Sequence, residues 1–396
     1  MTILVHWLTL VVVQTNPQNS ESTIKLFDAW LRTLFKLAPA PDCNINFDDR
    51  VNLVRDTYAN SPNTLILRHN EKTGEHSVSS LMIDEPEGNR HRVVREMWEE
   101  VRKHKLPPFI EFLVNVADLP RLPETYAKAY GIPIFSWCTP YGVGTGFPDR
   151  WTGIVPFPTH FNWNYDKFSI AQKLNSGPAT EVDFRNLRPV LYFRGRFSEI
   201  AWKRYGKTNE WENTPRFKLA YATRHEDEGV DVKITGFALH PIEPTPHEIE
   251  KDLFHKFNIT MSRPEKVGST PYSQISLIVD GNGWAGATAM HALLNGGCPI
   301  SVSKLHAGLG ETYFPFLLPW VHYVPCTLDN LHSTVHNLLG DTDEAFRISQ
   351  NAARFAKKFL TRETAVEYIK RAAWRYWEYM NQDCNNSSSL ELPPYK

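Results

Sequence analysis

The sequence predicts an α/β protein of two Rossmann-like domains facing each other across a cleft, closed by C-terminal helices. Three observations predict it. Short apolar runs alternate with helical patterns through both halves of the chain. The polar stretch Trp163–Arg188, which contains Gly177-Pro178, interrupts that alternation and reads as a linker. The 396 residues are more than one small core organises and suit two domains.

The elements follow in order. Ile3–Val13 is apolar but shorter than the ~20 residues a membrane helix needs. Its length suits a signal-peptide core, yet the first basic side chain is Lys25. Residues 1–20 therefore read as a signal segment or as a buried apolar element. In the N-terminal domain, 21–175, helices are expected over Ile24–Leu37 and Arg90–Lys103. In the second of these Val93, Met97 and Val101 recur one helical turn apart. Its strands are Thr64–Leu67, Val78–Ile83, Phe109–Val116 and Ile132–Trp137.

The C-terminal domain, 188–342, repeats the pattern. Strands are expected at Val190–Arg194, Val230–Thr235, Ile275–Asp280, Ile300–Lys304 and Val321–Pro325. Helices are expected at Pro215–Thr223, His247–Phe257, Ala285–Leu294 and Asn330–Leu339. Two helices, Asp343–Leu360 and Arg362–Gln382, make the closing segment 343–382. Val366, Ile369, Ala373, Trp377 and Met380 form the apolar stripe of the last one. The polar tail 383–396 is expected to be disordered. Both sheets are expected to be mostly parallel, and such sheets bind ligands beyond the carboxyl ends of their strands.

Composition narrows the function. A net charge of −1 leaves no basic footprint for nucleic acid. Aromatic residues reach 12%, which suits stacking on sugar rings as well as a dense core. Cys43, Cys138, Cys298, Cys326 and Cys384 form no C-x-x-C pair, so no zinc site is expected. Sequons stand at Asn258, Asn385 and Asn386.

The stretch SLIVDGNGWAGATAMHALLNGGCPISVSK, Ser276–Lys304, carries the chemistry. A strand ends at Asp280, a glycine-rich turn follows, and a helix begins. Such a turn lets backbone approach an anion, and the helix start offers unpaired N–H groups and partial positive charge. Gly281, Gly283 and Gly286 spell the dinucleotide fingerprint. An NAD site needs an acidic side chain about 20 residues on, but that strand ends in Lys304, which fits an NADP phosphate instead. Three readings remain: an NADP-dependent oxidoreductase, a bare structural turn, and a nucleotide-sugar diphosphate site.

Several segments resemble the capsule-associated glycosyltransferases, which include fungal capsule xylosyltransferases and animal protein O-glucosyltransferases. They are Asp280-Gly281-Asn282-Gly283-Trp284, the run from Tyr313 to Pro325 with Pro319-Trp320-Val321-His322-Tyr323, Asn115 to Pro120, Phe193-Arg194-Gly195, Thr214 to Leu219, and Asn351 to Ala356. The matching regions lie between about Phe109 and Glu378, and the first hundred residues show none. The resemblance implies a GT-B-like arrangement and a UDP-sugar donor on the C-terminal domain, with xylose or glucose as first choices. It implies inverting transfer to a glycan or glycoprotein hydroxyl, with no further cofactor and no obligatory metal. It implies residence in the endoplasmic reticulum or Golgi lumen, with the cytoplasm as alternative and membrane association left open.

By the same resemblance Asp118 is the catalytic base. Arg194, Gly195 and Ser198 match the donor-side loop, and Asp280, Gly281, Asn282, Gly283 and Trp284 form the donor turn. Lys304 and Glu311 are further donor candidates, for phosphate and ribose. Trp137 and Trp163 are acceptor candidates, with burial in the core as the other reading of each. One departure stands out. Where the family carries Ser-x-Arg after Asp-Gly-Asn, this chain has Ala285 and Ala287. Either another cation takes over, Arg194 first and then Lys304, with Arg196, Arg204 and Arg216 also available, or the chain is a non-catalytic homologue.

Overall fold

The structure is a computed structural model. It describes residues 20–37, 49, 52, 64–80, 89–116, 133–137, 154–159, 163–164, 180–197, 211–225, 227–237, 245–263, 273–280, 286–303 and 311–381. Ile3–Val13, Asp118, Ser198, Gly281–Trp284, Lys304, the tail 383–396 and the sequons at Asn385 and Asn386 lie outside these residues.

The N-terminal sheet has the order β2-β1-β3-β4-β5. Its strands are β1 (Thr64–Asn70), β2 (Glu75–Ser80), β3 (Phe109–Asn115), β4 (Ile134–Ser136) and β5 (Ile154–Pro156). Strands β3, β4 and β5 are parallel, but β1 runs antiparallel to both β2 and β3. The expectation of a mostly parallel sheet is corrected here to a mixed one. For β1 and β2 the cause is local, since they are joined by a tight turn ending in Gly74 at φ 72° and so short a connection permits only a hairpin; the antiparallel pairing of β1 with β3 is set across the sheet. Helices α1 (Ser20–Leu37) and α2 (Asn89–Val101) accompany this sheet.

The C-terminal sheet is wholly parallel, in the order β10-β9-β8-β6-β7. Its strands are β6 (Arg188–Phe197), β7 (Val230–Phe237), β8 (Ser273–Ile278), β9 (Cys298–Ser301) and β10 (Val324–Pro325). The connecting helices are α3 (Glu181–Arg185), α4 (Pro215–Ala222), α5 (Pro246–Phe257), α6 (Gly286–Leu294) and α7 (Leu331–Gly340). Their starts are written in the sequence. Thr214 and Thr245 cap α4 and α5 with proline next in line, and Thr245 pairs with Glu248 in a capping box. The chain leaves β6 for β7 on one side, then returns to β8 on the other. Strand order therefore reverses between β6 and β8, where doubly wound sheets open a binding crevice.

Helices α8 (Thr342–Phe359) and α9 (Arg362–Met380) close the chain. Helix α9 does not stay with the second sheet. Its Ile369, Ala373 and Tyr376 join one core with Trp30 and Leu34 of α1, Trp98 of α2 and Phe112 of β3. The Tyr368 hydroxyl donates to the carbonyl of Pro156 at 2.8 Å. Arg375, 6% exposed, grips Asp28 of α1 through both carboxylate oxygens at 2.6 and 2.7 Å. Arg375 also pairs with Glu378 at 2.7 Å, so losing Asp28 leaves its charge partly compensated and costs less than the ~3–5 kcal/mol of a fully stranded buried charge. Asp28→Ala is accordingly expected to lower the midpoint of urea unfolding with α9 as the first helix to lose amide protection, and an unchanged midpoint would remove this pair as the anchor.

Candidate functional site

The carboxyl ends of β6 and β8 meet at the reversal point, and Arg216 sits across them. It is the second residue of α4, so the Thr214 cap aims it at the strand ends. Its guanidinium donates through Nε to the carbonyl of Asp280 at 3.2 Å and through a terminal nitrogen to the carbonyl of Arg196. Asp280 is the residue that opens the glycine-rich turn. Loss of solvation brings the Arg216 pKa down to about 10, against the pull of the Asp280 carboxylate. It remains a cation at neutral pH.

Gly195 makes this possible. A Cβ there would stand 2.5 Å from the Phe193 ring and 3.6 Å from a terminal nitrogen of Arg216. Any side chain at this position would displace the ring, which is itself part of the core of the second sheet. Thr288 finishes the frame. Its hydroxyl donates to the carbonyl of Val279 at 2.7 Å and accepts that residue's N–H at 3.2 Å, tying the first turn of α6 to the end of β8. This sets the start of α6 beside the end of β8, just before Asp280, and helix starts carry unpaired N–H groups and partial positive charge.

Arg194 is engaged elsewhere. Its guanidinium pairs with Asp231 at 2.8 Å, donates to the carbonyls of Phe193 and Asp231, and covers the Tyr192 ring at 4.3 Å. This contact lies on the outer strand β7, so among the described residues the cation beside Asp280 is Arg216 rather than the first-choice Arg194. Glu311 is buried, and its charge adds to burial in raising the Tyr313 phenol. In the run from Pro319 to Pro325 the strand expected over Val321–Pro325 shortens to β10, and Trp320–His322 form a turn ahead of it. Trp320, at φ 63° and 55% exposed, donates its N–H to the carbonyl of Tyr323, and His322 Nδ1 accepts from Leu318 N–H at 2.9 Å. That acceptor role leaves His322 as the neutral Nε2–H tautomer, and burial holds its pKa near 4.

In the N-terminal domain Trp137 and Trp163 are 4% and 2% exposed, so neither ring presents an open face. The Trp163 indole donates to Glu96 at 2.7 Å, with Arg362 over its ring at 4.2 Å. Trp137 follows β4, where its N–H donates to the carbonyl of Asn115 at 3.0 Å. Arg90, in the first turn of α2, donates to the carbonyl of Val116 at 2.8 Å and lies 5.8 Å from the Trp137 ring. Sequence reasoning passed over Arg90, because nothing in a helix pattern shows which strand end a side chain reaches. Among the described residues no group of three or more His, Cys, Asp and Glu side chains could hold a metal ion, and no helix is long and apolar enough to cross a membrane.

Comparison with known proteins agrees with the resemblance read in the motifs. The chain is 23% identical over 324 residues to "Uncharacterized protein 035R" of Invertebrate iridescent virus 3, and 24% identical over 336 residues to "Uncharacterized protein 179R" of Invertebrate iridescent virus 6. These alignments take in 73% and 70% of this chain. In both cases the chain spans only 27% of the relative's length. The profile described as "Glycosyl transferase family 90" matches residues 95–391, from the middle of α2 through the whole second sheet and past α9. The chain thus belongs to glycosyl transferase family 90, which includes capsule xylosyltransferases and O-glucosyltransferases.

Proposed function

We propose that the chain transfers a sugar, xylose or glucose first, from a UDP donor to a hydroxyl of a glycan or glycoprotein with inversion at the anomeric carbon. The observation that carries this reading is Arg216, a cation held across the ends of β6 and β8 beside Asp280. The family arginine is absent at Ala287. A helix start supplies only about 0.3–1 kcal/mol to an exposed anion, up to ~2 when partly buried. A charge-assisted hydrogen bond supplies about 1.5–3 kcal/mol. A donor site therefore needs a cation besides α6, and Arg216 fills that part. The two sheets then take the GT-B roles, with acceptor on the first and UDP-sugar on the second.

In this mechanism Asp118 accepts the proton of the acceptor hydroxyl. The freed oxygen attacks the anomeric carbon from the face opposite UDP and forms the new C–O bond. The bond from that carbon to the β-phosphate oxygen breaks, and its electron pair leaves on UDP. Arg216 and the α6 N–H groups stabilise that charge without a metal. Gly195, Asp280 and the turn Gly281–Trp284 shape the diphosphate pocket, with Ser198, Lys304 and Glu311 as further donor contacts. Residence in the secretory lumen is part of the proposal. Asn258, the first sequon, is exposed at the left-handed end of α5 and open to modification.

Thermal shift tests the donor class. Ligand at about 100 times its Kd stabilises the native state by about 2.7 kcal/mol. UDP and one UDP-sugar are expected to raise Tm, and NAD and NADP to leave it unchanged. A rise with NADP and none with UDP would turn the site over to hydride transfer.

A further inference from the structure

The sequon Asn258-Ile259-Thr260 begins at the C-cap of α5. The fold divides its three residues. Ile259 is buried with Ile249 and Leu253 of α5 in one apolar core with Phe197 and Ile234, while Asn258 and Thr260 on either side of it are exposed. Burying the middle residue turns both polar side chains outward. The backbone holds them there. The Ile259 N–H donates to the carbonyl of Leu253 at 2.9 Å, and the Ser262 N–H to that of Ile234 at 2.8 Å. Asn258 itself takes the left-handed conformation, φ 55° and ψ 40°, which asparagine tolerates better than most side chains. Among the described residues neither the Asn258 carboxamide nor the Thr260 hydroxyl has a partner.

We propose that Asn258 carries an N-linked oligosaccharide whose first sugar packs on the ring of Phe254; this rests on the residence in the secretory lumen proposed above. The donor is a lipid-linked diphosphate oligosaccharide, handled by the lumenal transferase that modifies such sequons. The Asn258 Nδ2 forms a bond to the anomeric carbon of the first sugar and loses one of its two protons. The bond from that carbon to the diphosphate oxygen breaks, and its electron pair leaves on the lipid diphosphate. An oligosaccharide is bulky and belongs on the surface, a condition the free and exposed carboxamide meets. Phe254, 57% exposed, precedes Asn258 by four residues on α5. At a rise of about 1.5 Å per residue the two Cα atoms stand about 6 Å apart, close to the span of one sugar unit. An aromatic face left in water suits the apolar C–H face of a sugar. Helix α5 returns the chain from the carboxyl end of β7 to the start of the parallel strand β8, so Asn258 lies toward the end of the sheet opposite Asp280 and Arg216.

The test uses the full chain translated with microsomes in two forms, one native and one behind a cleavable signal peptide. Protease protection reads residence. Gel mobility reads modification, and mass spectrometry after enzymatic release of the sugar, which leaves aspartate at a modified asparagine, reads the site. The native chain is expected to be protected and modified at Asn258. Asn258→Gln and Thr260→Ala are each expected to lose one step of the mobility shift, and Thr260→Ser to keep it. A native chain open to protease overturns the residence, and with it the modification in the cell. A signal-fused chain that is protected yet bare at Asn258 overturns the site alone, so the two failures are separable. The contact with Phe254 has its own readout. Glycosylated wild type is expected to melt about 1–3 °C above Asn258→Gln, and Phe254→Ala to abolish that difference. Equal melting temperatures of glycosylated wild type and Asn258→Gln overturn the packing on Phe254.

Discussion

Asp118→Asn is expected to lower sugar-transfer turnover by roughly 10²–10⁴-fold, the usual worth of a positioned general base. An amide keeps the size of the side chain but cannot take the proton from the acceptor hydroxyl. The loss should fall on kcat and kcat/KM alike, since proton transfer belongs to the transition state and not to donor binding. UDP should bind the variant as it binds the wild type. Wild-type turnover in Asp118→Asn would reduce this residue to a turn after β3.

Arg216→Gln is the other large effect, and it should appear in binding before chemistry. Removing a charge-assisted donor from the diphosphate site costs about 1.5–3 kcal/mol, a rise of about 10–150-fold in the Kd for UDP by calorimetric titration. Glutamine places an N–H donor where Nε stood, so the carbonyl of Asp280 can keep a partner while that of Arg196 and the charge are lost. Arg194→Gln should leave the UDP affinity within about twofold, because Arg194 is paired with Asp231. Introducing Ala287→Arg into Arg216→Gln should restore much of the affinity, since position 287 lies in the first turn of α6. Equal UDP binding by wild type and Arg216→Gln would leave the donor side without its cation and favour a non-catalytic homologue.

Much of the fold is legible in consecutive residues. The observed α4, α5, α6, α7, α8 and α9 begin within one or two residues of the expected starts. The helix signals are local: capping threonines at Thr214, Thr245 and Thr361, prolines at the first helical position of α4 and α5, and apolar stripes at helical spacing. Strand β5 is not legible in this way, because three residues are too few to show an alternating pattern. The family is legible as well, carried by the turn motif and by the segment around Trp320.

What the sequence by itself determined is the α/β class, the order of its elements, the glycine-rich turn at the end of a strand, and the family. Tertiary structure decided the rest. It set the direction of β1, returned α9 to the first sheet through Arg375 and Asp28, and chose Arg216 over Arg194 as the cation beside Asp280. The physical reason is one of range. Caps, turns and periodicity act within a few residues and leave their mark in adjacent letters. A guanidinium's partner depends on which strands lie side by side and in what register, and Asp231 and Asp280 become rivals for arginines only once β6 lies between β7 and β8.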